Sequence, residues 1–66
     1  MDMMMLQSEI SESGMPMTTI ADRSEIPRTT LYYRIEHPET WTVREVIGIC
    51  RALKLTNSKR KVIFDL

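Results

Sequence analysis

Apolar residues recur along this chain at intervals of three and four, the period of a helix face, and the breaks between them fall at glycine and proline. Met3, Leu6 and Ile10 form the first such stripe, with Gln7, Ser8, Glu9 and Glu12 between them and Gly14 as a stop, which predicts a helix over residues 1–13. Ile20 and Ala21 share one side of a short second helix, about residues 18–24, where Thr18 or Thr19 offers a capping hydroxyl. Ile26-Pro27 then pushes the chain out of helical angles, and Pro27 suits the opening of a third helix. Leu31 and Ile35 mark the inward face of that helix. Stepping round its axis puts Thr29 and Tyr33 opposite them, Tyr32 on the flank and Arg28 in the first turn. His37-Pro38 ends it, with His37 expected to interact with the last free carbonyls.

The clearest local signal is Trp41-Thr42-Val43-Arg44-Glu45-Val46, where Thr42 and Glu45 have the spacing of a capping box and Trp41 that of a staple onto Val46. A fourth helix follows from Val43 and closes at Leu55. Its expected stripe is Val43, Val46, Ile47, Cys50 and Leu53, with Ile49 on the flank and Gly48 on the opposite face beside Arg44 and Arg51. Gly48 either marks the approach of another backbone or has no role. Thr56 or Asn57 can cap a last segment whose cap favours a fifth helix and whose Val62-Ile63-Phe64 run would equally suit a strand. Val62, Ile63, Phe64 and Leu66 lie at a free end, so residues 57–66 are expected to pair with a second copy of the chain.

Met17 to Glu36, MTTIADRSEIPRTTLYYRIE, is therefore a helix, a break of a few residues and a second helix. It resembles the helix-turn-helix of the phage Cro and repressor type. Ala21 stands at that family's small position, Ile26 at its apolar turn position and Leu31 at the apolar plug of its second helix. Two residues depart from the pattern. Glu25 stands where the family has a turn glycine, which implies left-handed angles at a cost of about 1–2 kcal/mol. Arg34 stands at a normally apolar position, where its stem packs and its charge reaches water. The resemblance implies an all-α bundle of four or five helices, a single lambda repressor-like DNA-binding domain over residues 1–66. It further implies that Pro27, Arg28, Thr29, Tyr32 and Tyr33 read an operator in double-stranded DNA, with Thr18 beside them. Arg28 could donate two hydrogen bonds to a guanine edge, and Thr29 could meet a thymine methyl. Arg44, with Lys59, Arg60 and Lys61, would hold phosphates.

Composition narrows the choice of function. A chain of 66 residues makes one small domain with no room for a separate catalytic one. It offers no paired carboxylates, nucleophile with base, phosphate loop or metal-ligand spacing, so neither an enzyme, a cofactor, a metal nor a small-molecule substrate is expected. The methionines near the start read as flexible core filler, and Cys50, the single cysteine, as a small buried apolar residue. No secretory or membrane-spanning run appears, which points to a reducing cytoplasm; the resemblance implies that of a bacterial host, and its nucleoid when bound to DNA. The formal net charge is zero, against bulk coating of nucleic acid. It is unevenly spread: residues 1–36 carry six acids against three bases, and residues 37–66 the reverse. The expected function is a sequence-specific transcriptional regulator, a phage or prophage repressor or Cro-like homodimer. The alternative is a helical protein-interaction module, an antirepressor or cofactor, that does not itself bind DNA.

Overall fold

Local chemistry at each terminus sets where the helices begin and end. In the computed structural model, which describes residues 1–66, the order is α1 (Met3–Glu12), α2 (Met17–Ser24), α3 (Arg28–Glu36), a 3-10 turn (Pro38–Thr40), α4 (Val43–Ala52) and α5 (Asn57–Phe64), without a strand. Asp2 opens α1 by accepting from the Met5 amide at 3.0 Å. Thr56 opens α5 by accepting from the Lys59 amide at 3.3 Å, which settles the last segment as a helix. Thr42 and Glu45 close both halves of the expected capping box, at 3.3 Å and 3.1 Å. The second helix departs from expectation. It begins one residue early, at Met17, with Pro16 as its cap residue and no side-chain hydrogen bond, so neither Thr18 nor Thr19 caps it. Proline there already fixes extended entry angles, and the threonines fall inside the helix.

With only two glycines, the chain closes three helices on residues with side chains in left-handed angles. Glu25 (φ 59°), Lys54 (φ 53°) and Asp65 (φ 57°) end α2, α4 and α5. After α2, the Ile26 amide reaches back to the Ala21 carbonyl at 3.0 Å and the Glu25 amide to Asp22 at 3.1 Å. After α4, Leu55 bonds Cys50 at 3.0 Å and Lys54 bonds Arg51 at 3.2 Å. Both are the paired closure that satisfies the free carbonyls of a helix end. The left-handed Glu25 expected from the glycine position is what the turn contains.

The core gathers one or two residues from every helix: Leu6 of α1, Ile20 and Ala21 of α2, Leu31 of α3, Ile49 and Cys50 of α4, and Ile63 and Phe64 of α5, with Ile26 from the turn. Two expectations fail here for one reason each. Ile49, assigned to the flank of α4, is fully buried, whereas Val43, assigned to the stripe, is 77% exposed and Ile47 is 44% exposed. The helix is rotated by roughly a quarter turn from the position its apolar stripe predicts. The cause is Gly48, whose missing side chain lets α4 press against the end of α2: a Cβ there would fall inside contact distance of the Ser24 carbonyl oxygen and 3.3 Å from its carbon. Gly48 thus faces α2 and not open solvent. The C-terminal segment also changes its meaning, because Ile63 and Phe64 fill the chain's own core and only Val62 and Leu66 stay exposed. The helix period accounts for it: α5 turns those two inward, and α1 lies beside it through the Asp2 amide on the Ile63 carbonyl at 2.8 Å and Lys59 on Glu9 at 3.1 Å.

Candidate nucleic-acid interface

The middle helix carries the candidate readers, and its anchoring explains why they are free. Leu31 is fully buried and Ile35 packs against the core, so one face of α3 is committed inward. Arg28, Thr29, Tyr32 and Tyr33 are all exposed, the two tyrosines at about half of their surface. A four-residue step sets Arg28 beside Tyr32 and Thr29 beside Tyr33, giving two adjacent rows on the outer face. Pro27, also exposed, is the cap residue, and Arg28 has no carboxylate partner.

Neighbouring helices bring the remaining candidates alongside. Tyr32 shares a hollow of about 160 Å³ with Ile35 and Glu36 of α3, Gln7 and Ile10 of α1, and Met17 at the start of α2. The first turn of α2, where Thr18 is exposed, therefore adjoins the middle of α3. On the other side, Arg34 Nε donates to Glu45 Oε1 at 2.8 Å, with both side chains mostly buried. That bond ties α3 to the first turn of α4, where Arg44 is exposed and without a carboxylate partner. Of the three basic residues of α5 expected to hold phosphates, Lys59 is paired and Arg60, half-buried and without a carboxylate partner, lies along the seam of α4 and α5. Lys59 is taken by Glu9, and Arg60 lies against Cys50, whose thiol is pushed up by burial while the Arg60 charge pulls it down. Lys61 alone of the three is exposed and uncommitted.

The Arg34–Glu45 clamp is the feature sequence reasoning missed. Arg34 was expected to send its charge to water; it spends it on a carboxylate that already serves the α4 cap. Burial of Glu45 opposes ionisation, and hydrogen bonds from Arg34 and Thr42 outweigh it, holding the carboxyl below its ordinary value of 4.5. Two signals pointed to the pair: an arginine at an otherwise apolar helix position, and a glutamate whose place in a capping box was already fixed. His37 does more than its place at the helix end required. It caps α3 as expected, its amide donating to the Tyr33 carbonyl at 2.9 Å, while its ring lies tilted against Tyr33, centroids 4.4 Å apart, and its Nδ1 is 4.0 Å from Glu39. Arg34 lies 5.8 Å from the Tyr33 ring centre, so the tyrosine is flanked by both residues. The candidate face thus offers hydrogen-bond donors and flat apolar rings in fixed positions, suited to base edges and phosphates.

Comparison of the chain with protein-family models, with curated proteins and with solved structures gave no match. No helix is long and apolar enough to cross a membrane.

Proposed function

We propose that this chain is a sequence-specific DNA-binding regulator of transcription, of the phage Cro and repressor kind, whose α2 and α3 form the helix-turn-helix. The observation that carries it is α3 itself: a helix locked on its inner side by Leu31 and the Arg34–Glu45 bond, with Arg28, Thr29, Tyr32 and Tyr33 displayed together outside. Two adjacent tyrosines on an outward row do no work for the core, whereas a groove of DNA would use both their rings and their hydroxyls. Thr18 and Arg44, exposed on the neighbouring first turns, are the residues proposed to meet phosphates on either side.

Two copies on a palindromic site, with half-sites roughly 34 Å apart, belong to the same proposal. Burial of Ile63 and Phe64 within each protomer removes half of the apolar surface expected to join them, so pairing on DNA, where adjacent half-sites bring the copies together, is the form proposed. Selection of bound fragments from a random pool of double-stranded DNA tests the function. One recurrent motif is expected; a pool that stays random after repeated rounds would overturn it. A protein-interaction module is the second reading, favoured by an apolar groove to which α3 contributes no residue.

A further inference from the structure

A groove of about 230 Å³ lies between the start of α4 and the end of α5. Trp41, Val46 and Phe64 line it, the Trp41 and Phe64 rings meeting edge to face at 5.2 Å. Val43, Ile47 and Leu66 stand around it largely exposed, which is unusual for three aliphatic side chains brought to one place on so small a domain. Within this apolar lining Arg60 has no carboxylate partner, and the buried Trp41 Nε1 meets no acceptor. No acidic residue lines the groove, and nearby Asp65 is held by the Met1 amine at 2.7 Å.

We propose that this groove docks an apolar segment of a partner protein that carries a carboxylate beside its apolar residues. The aliphatic rim supplies non-directional burial, and Arg60 supplies the charge that fixes the position of the segment. A second copy of the chain is the poorer occupant. Two-fold pairing presents the same patch from both sides, so two Arg60 guanidinium groups would enter one apolar interface with no acid from either copy. An acidic, apolar segment answers both the exposed surface and the unpaired cation. Because α3 contributes no residue to the groove, this proposal does not depend on DNA binding by α3.

The test is selection of the full chain against a random peptide library, followed by binding of the enriched peptides to variants. Enriched peptides are expected to set apolar residues three or four apart next to Asp or Glu. Affinity should fall about tenfold with Arg60→Gln, the loss of one charge-assisted contact, and by more than that with Val43→Asp. Val43 is so exposed that this variant keeps its fold, which circular dichroism verifies. Tyr33→Ala should leave peptide binding unchanged, so a failure of DNA binding and a failure of this proposal are separable. Absence of enrichment, enriched peptides without acids that ignore Arg60→Gln, or a solution dimer dissociated by Val43→Asp would each overturn it.

Discussion

Replacing Gly48 by alanine has opposite consequences on the two faces of α4, which makes its sign decisive. On an exposed helix face the change would stabilise the fold by about 1 kcal/mol, the ordinary difference in helix propensity. Here the new Cβ would press on the Ser24 carbonyl, with its carbon at 3.3 Å and its Cα at 3.5 Å. Those are backbone atoms at the closed end of α2 and cannot rotate aside, and the Ser24 hydroxyl already donates to Ile20 at 2.6 Å. Forcing the two helices apart against backbone costs about 2–3 kcal/mol, the upper part of the range for overpacked cores, and exceeds the propensity gain by about 1–2 kcal/mol. At about 4–8 °C per kcal/mol for a domain of this size, Gly48→Ala should lower Tm by roughly 5–15 °C. Thermal melts followed by circular dichroism measure it, and Gly48→Ser should be no better. A Tm equal to or above that of the parent would mean that α4 does not approach α2 at this point, and the rotation of α4 described above would be wrong.

Glu25→Gly and Lys54→Gly should each raise stability, by up to about 1 kcal/mol, since both side chains sit in left-handed angles that glycine adopts freely; a loss in either melt would contradict the closures assigned to α2 and α4. Arg34→Met should destabilise by about 1–3 kcal/mol at neutral pH by leaving the Glu45 carboxylate mostly buried and unpaired, and denaturant titration would detect it. Because the folded carboxyl lies below its ordinary 4.5, its contribution is complete above that pH and is lost as the pH falls through the lower folded value. The gap between parent and Arg34→Met should therefore narrow in acid, and a gap independent of pH would mean that the ion pair is not its source.

The starts of α3, α4 and α5 were legible because their chemistry is local: Thr42 with Glu45, Thr56, and Pro27 before α3 act within a few residues of themselves, whereas at α2 Pro16 took the place expected of Thr18 or Thr19. Leu31 and the exposure of Thr29 and Tyr33 also followed from periodicity alone, as α3 has a single inward face. The orientation of α4 did not, because Gly48 contributes no hydropathy to any stripe although it decides which side meets α2. Ile63 and Phe64 were likewise beyond reach, since whether an apolar end turns into its own core or toward a partner depends on where α1 lies. Arg34 and Glu45, eleven residues apart, belong to different helices, and only their packing makes them one unit.

The most direct test of DNA recognition by α3 is competition between a selected fragment and scrambled DNA for the parent chain and for Arg28→Ala, carried through a salt titration. Loss of Arg28 should cost about 1–3 kcal/mol on the selected fragment and relax selectivity at one base pair, with scrambled DNA much less affected. Arg44→Ala should instead weaken both DNAs alike and lower the salt slope by roughly one unit. An unchanged preference for the selected fragment in Arg28→Ala would contradict recognition by this helix, and no binding of either DNA by the parent at low salt would contradict DNA recognition itself.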